Sequence, residues 1–193
     1  LADSYAAKGD SKQHRAWLKA IASAHDSAGP AATPRTRYLA GHASLILAED
    51  TLAPFHNVKL VEPLKKNLRN KKKAMQTALD AYQRAATYQV AEVTPQATFR
   101  IAELYHMFSR ELMDSQRPAG LSELELEQYE ILLEEQAIPF EDQAIETYET
   151  NVALVTAGVY DQWVRKSFAQ LGQLFPARYA KTERGDEPVS RLR

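Results

Sequence analysis

Along most of the chain, apolar residues recur at steps of three and four, the spacing of helices that bury one face. Leu1, Ala2 and Tyr5 mark a short helix over 1–8, with Gly9 placed to end it as a left-handed C′ residue. Asp10 caps a second helix, 11–28, whose stripe is Trp17, Leu18, Ile21 and Ala24. Gly29-Pro30 stops it, and Thr33-Pro34 has the N-cap and first-turn proline of a new start. The third helix runs to about residue 56, with Leu39, Leu45, Ile46, Leu52 and Phe55 inward and Pro54 set to kink or terminate it. The fourth, from Glu62-Pro63 to about 91, carries Leu64, Leu68, Met75, Leu79, Tyr82, Ala86 and Val90, with one seven-residue step between Leu68 and Met75.

Val93-Thr94-Pro95 repeats the Thr-Pro start signal. The fifth helix, 95–114, buries Phe99, Ile101, Ala102, Tyr105, Phe108 and Leu112. After the loop 115–121, Ser122 and Glu125 form a capping box. Pro139 then interrupts the sequence, yet Tyr129, Leu133, Ala137, Phe140, Ala144, Tyr148, Val152 and Val155 stay in phase across it. The pattern predicts one long helix, 122–157, kinked near Pro139, over two helices split at 138–140. Gly158 ends it, and Asp161 caps a last helix, 161–175, with Val164, Phe168, Leu171 and Phe175 inward. Seven helices follow, and a polar tail from Lys181 to Arg193 reads as disordered.

Composition agrees. Only seven glycines occur among 193 residues, and helix formers are plentiful. The net charge of −1 gives no global field for nucleic acid, and zero cysteines exclude disulfides and thiolate chemistry. No apolar run reaches the ~20 residues that span a bilayer. Leu1 opens inside a helical pattern without a cap, which reads as a piece of a longer chain whose upstream part could include a targeting segment.

Within 74–105, small residues (Ala78, Ala81, Ala85, Ala102) lie a turn from large ones (Leu79, Tyr82, Ile101, Tyr105). Leu1-Ala2 precede Tyr5, and Ile101-Ala102 precede Tyr105, by the same spacing, and Ala78, Tyr82 and Ala85 complete a small-large-small helix. These residues resemble the tetratricopeptide repeat. The match covers 1–28 and 74–105, and 140–172 more loosely; Asn151 and Gly172 depart from it. The resemblance implies an all-α superhelix of antiparallel hairpins over residues 1–180; the long helices that the pattern predicts at 61–91 and 122–157 depart from its short hairpins. The segments RYLAGHASLILAED, ATFRIAELY and ELEQYEILLEEQAIPFE are also similar to the C-terminal region of exported bacterial tetratricopeptide proteins that accompany ExbB/TolQ-type and TonB-like components. That resemblance implies a periplasmic or cell-envelope interaction module, with a cytoplasmic protein as the alternative.

The resembled family binds partners through a concave groove lined by the first helix of each hairpin. The positions this implies are Gln96, Phe99, Glu103, His106 and Met107, although a solvated helix face suits the same residues. Glu103 and His106 also form a Glu-x-x-His, half of the motif that holds paired metals in helical bundles. It occurs once, so a metalloprotein is the rival reading and a purely structural capping segment the third. Six basic residues lie within 65–73. They surround the helix without interleaved aromatics, which suits a solvated face better than a nucleic-acid site, and the acidic run Glu123, Glu125, Glu127, Glu130, Glu134 and Glu135 could oppose them. Neither Glu134-Glu135 nor Glu141-Asp142 shares one helix face as a catalytic pair would. The expectation is a non-enzymatic scaffold without cofactor that binds a protein or peptide.

Overall fold

The structure, a computed structural model, describes residues 1–180; the tail expected to be disordered, 181–193, lies outside the described residues. Among the described residues every regular element is helical and no β-strand occurs. Helices α1 (Ala2–Ala7) and α2 (Ser11–Asp26) are joined by a tight turn. Gly9 takes φ +73° there, and Asp10 accepts a hydrogen bond from the Gln13 N–H at 3.0 Å. Helix α3 (Pro34–Glu49) opens on a capping box between Thr33 and Thr36.

The expected third helix is in fact two. Helix α3 ends at Glu49, and a separate short helix, α4 (Leu52–Asn57), follows the turn at Asp50-Thr51. Pro54 is the cause. A proline clashes with the carbonyl four residues before it and supplies no N–H to it, so the helix breaks at Asp50 and Pro54 falls in the first turn of the next one. Helix α5 (Leu64–Thr87) ends four residues earlier than the pattern suggests. Gln89, at φ +52°, turns the chain in the left-handed region usually left to Gly or Asn, and Val90 belongs to the link.

Helix α6 (Thr94–Met113) starts one residue early, with Val93 and not Thr94 at its N-cap. Helix α7 (Glu123–Ala153) begins on the Ser122/Glu125 capping box and runs unbroken through Pro139. Pro139 and Glu135, whose carbonyl loses its usual donor, are both solvent-exposed, where water can serve that oxygen. A 3-10 turn, Leu154–Ala157, leads to Gly158 at φ +81°. Asp161 then caps α8 (Gln162–Leu174) by accepting from the Trp163 and Val164 N–H groups at 2.8 and 2.9 Å. Helix α9 (Pro176–Tyr179) completes a set of nine among the described residues, the two beyond the expected seven being α4 and α9.

Packing follows chain order. Helix α1 packs on α2, α2 on α3, α3 and α4 on α5, α5 on α6, α6 on α7, α7 on α8 and α8 on α9, and α6 also touches α8. One core joins Leu45, Phe55, Met75, Leu79, Tyr82, Leu104, Phe108 and Leu133; a second joins Phe99, Ala102, Ala144, Tyr148 and Leu171. Several expected inward residues point out instead. Leu39 and Ile46 are exposed, and α3 buries Ala40, Gly41, Ala43, Ser44, Leu45 and Ala48. The reason is close approach: a Cβ on Gly41 would sit 3.0 Å from the Val90 side chain. Ala24, Val155, Phe168 and Phe175 are exposed as well.

The seven-residue gap in the stripe of α5 has an unexpected occupant. Lys71 fills it and is 0% exposed. Its ammonium donates to the Phe55 carbonyl at 2.7 Å and the Val58 carbonyl at 3.1 Å. It pairs with Glu111 at 2.5 Å and lies 3.9 Å from the centre of the Phe55 ring. One side chain thereby ties α4 and the following link to α5 and α6.

Candidate functional site

Helix α6 is buried along Ala97, Ile101, Leu104, Phe108 and Leu112. The face between that stripe and the Phe99 side carries Gln96, Arg100, Glu103 and Met107, at steps of four, three and four, which stacks them in one row. All four are half-buried. Three of the five sequence-predicted residues therefore share a surface row. Phe99 does not belong to it. It is 4% exposed, with its ring centre 5.6 Å from that of Tyr148 and 5.3 Å from that of Trp163. It is a core residue at the junction of α6, α7 and α8, because its position falls on the flank where those helices meet. His106 lies on the same flank, half-buried. Burial and then the charge of Arg110 hold its pKa below the ordinary value, against Glu141 and Glu103.

The row on α6 is tied to helices on both sides. From α3, Glu49 accepts from Gln96 Nε2 at 3.2 Å and from Arg100 Nε at 3.3 Å. Arg100 also donates to Glu103 Oε2 at 2.7 Å. Its guanidinium lies 5.3 Å from the Trp163 ring of α8, and Lys166 Nζ lies 4.2 Å from the same ring. Burial works against the charge on Arg100, but its bonds and charge interactions with Glu103 and Glu49 outweigh it and hold its pKa above the usual value. Tyr82 lies close by on α5; burial, then the charge of Glu49, push its pKa up, so it stays a neutral phenol.

Helix α3 extends the surface. Leu39, His42, Ile46 and Glu49 follow at steps of three, four and three on one face, with Leu39 and Ile46 exposed. The His42 ring packs at a tilt of 49° against Tyr38, with ring centres 4.4 Å apart. The result is a surface that is apolar on α3, carboxylate-clamped on α6 and cationic-aromatic on α8. Arg100 is saturated by two carboxylates. Lys166 is exposed and enters no ion pair among the described residues.

Four residues of this surface, Arg100, Glu49, Trp163 and Lys166, are not among the positions expected from the sequence. Arg100 was within reach, since it sits four after Gln96 and three before Glu103. Glu49 and Lys166 come from separate helices, and no local spacing joins them to α6. Trp163 reads as core from its sequence, and it is core on one side while stacking a cation on the other.

The Glu103–His106 pair gathers no third ligand: among the described residues no group of three or more His, Cys, Asp or Glu is positioned to hold a metal, and Glu103 is engaged by Arg100. In 65–73, Lys65, Lys66, Arg69, Lys72 and Lys73 are exposed, whereas Lys71 is buried. The acidic run on α7 is exposed too. Within the described residues no ion pair joins the two groups; Lys72 instead reaches the Phe140 ring of α7, at 5.7 Å.

Comparison with known proteins returns no match to any family model, curated protein or solved structure.

Proposed function

We propose that this chain is a non-enzymatic, tetratricopeptide-like array that binds an extended protein segment across α3, α6 and α8. The observation that carries the proposal is the chain of contacts from Glu49 through Arg100 to Trp163 and Lys166. It unites three helices that are not consecutive in the chain, with α4, α5 and α7 lying between them in sequence. Stacked hairpins create such a surface from the first helix of each pair. Exposed Leu39 and Ile46 favour apolar side chains on the ligand, and Lys166 beside Trp163 favours a carboxylate. The similarity of three segments to exported bacterial tetratricopeptide proteins supports a place in the cell envelope. Among the described residues no helix is long and apolar enough to cross a membrane.

The test is selection of a random peptide library on the immobilised protein, with fluorescence titration of the enriched sequences. The expected binders combine apolar residues with Asp, Glu or a free C-terminal carboxylate. Lys166→Glu and Ile46→Asp should each weaken them by about tenfold or more, the effect of losing one good contact at about 1.4 kcal/mol. Enriched peptides that bind both variants as tightly as the parent would refute the assignment of this surface.

A further inference from the structure

Helix α7 has a second apolar face. Leu124, Ile131 and Ile138 recur at a seven-residue step opposite the buried residues Leu133, Ala137 and Ala144, and all three are about half exposed or more (63%, 51% and 49%). Leu132 beside them is exposed at 57%. Glu127, Glu134 and Glu141 run alongside at the same step. The helix holds ten Asp or Glu and no Lys, Arg or His, and no such basic residue occurs anywhere between Arg117 and Arg165. One apolar position per seven residues supplies half of the two-position seam through which helices pair, and the glutamates alongside supply a charged edge. Two copies of α7 cannot pair with each other, because their carboxylate rows would face one another.

The complementary surface lies next to it. Lys65, Lys66, Arg69, Lys72 and Lys73 project from the outer face of α5, opposite Lys71 and Met75, and enter no ion pair among the described residues. Both helices pack on α6, and Lys72 bridges from one to the other at Phe140. Their relevant halves are also level. Gln116 N–H donates to the Leu60 carbonyl at 2.9 Å, which ties the entrance of α5 to the exit of α6, and α7 starts a few residues later. Lys72 at Phe140, with the Lys71–Glu111 and Phe108–Phe140 pairs, sets the cationic stretch of α5 beside the Ile131–Ile138 part of α7.

We infer that a second copy of this chain docks on this face, forming a two-fold dimer in which α5 of each protomer lies across α7 of the other. Charge complementarity selects the occupant. A two-fold axis running between α5 and α7, in the plane of the interface, turns the cationic stripe of one copy onto the anionic stripe of the other, twice over, and keeps their levels matched. Lysine stems cover Ile131 and Ile138 while the ammoniums reach the flanking glutamates, the usual division of labour in these side chains. The isologous arrangement closes on itself and leaves the surface formed by α3, α6 and α8 free.

Sedimentation velocity across a concentration series tests this. The parent protein should form dimers in about 50 mM salt and shift at least about tenfold toward monomer in about 500 mM, where screening shortens to a few Å. Lys65→Glu/Lys66→Glu/Arg69→Glu and Glu127→Lys/Glu134→Lys/Glu135→Lys should each be monomeric, with unchanged circular dichroism. Mixing the two variants should restore a dimer, since each stripe then meets its opposite. A parent that stays monomeric in low salt overturns the inference. So does a dimer that survives either reversal, which would mean another surface holds it, or a pair of folded variants that fails to form the mixed dimer.

Discussion

Replacing Lys71 by Met tests whether the buried ammonium holds α4 and its link in place. Methionine keeps most of the stem's packing and removes the charge. The Phe55 and Val58 carbonyls then lose their donor, and hydrogen bonds from a charged donor are worth about 1.5–3 kcal/mol each. Glu111 loses its partner at 2.5 Å, and breaking a buried pair from one side costs about 3–5 kcal/mol. These figures overlap, and Glu111 is 28% exposed and can rehydrate. The net expectation is therefore about 3 kcal/mol. Against a total stability of about 5–15 kcal/mol that is a large loss, equivalent to a fall in Tm of about 6–12 °C for a chain of this size. Urea denaturation followed by circular dichroism measures it, with Lys73→Met, an exposed neighbour, as the control expected within about 0.5 kcal/mol. Adding Glu111→Leu should recover part of the loss, because an apolar pair avoids the stranded carboxylate. If Lys71→Met falls within about 1 kcal/mol of Lys73→Met, the lysine is not the tie described.

Two further expectations concern α6. Ala102 is fully buried against Ala144, Tyr148 and Leu171, so Ala102→Leu should overpack the junction and cost about 1–3 kcal/mol in denaturant midpoint analysis; an unchanged midpoint would contradict the observed packing of α6 on α7 and α8. His106 has a folded pKa below its ordinary value of 6.5. Below 6.5 the unfolded chain binds the proton first, so this residue's contribution to stability is intact above that pH and declines as pH falls toward the folded pKa. Stability measured from pH 7.5 down to 5 should fall less steeply in His106→Gln than in the parent; identical slopes would refute the burial of a neutral imidazole.

The sequence by itself determined the helices, because their signals are local. Asp10, Ser122 and Asp161 cap their own helices, Gly9 and Gly158 take left-handed turns, and the phase of Leu133, Ala137, Ala144 and Tyr148 survives Pro139. Gln89 escaped because nothing in glutamine announces a left-handed turn. The break before α4 was misplaced because a proline acts four residues upstream of itself. Three of the five expected surface residues, Gln96, Glu103 and Met107, were legible from α6 alone.

What only the tertiary structure decided is where neighbouring helices press. Close approach of the 88–90 link made Gly41 and the alanines of α3 the inward face and pushed Leu39 and Ile46 out. The carbonyls of Phe55 in α4 and of Val58 just after it gave Lys71 a buried site in the middle of a basic run. The row from Glu49 to Lys166 joins residues more than one hundred positions apart, and no period within one helix encodes such a meeting. A local pattern records which residues share a face; which face meets another helix, and with what chemistry, depends on how the helices pack.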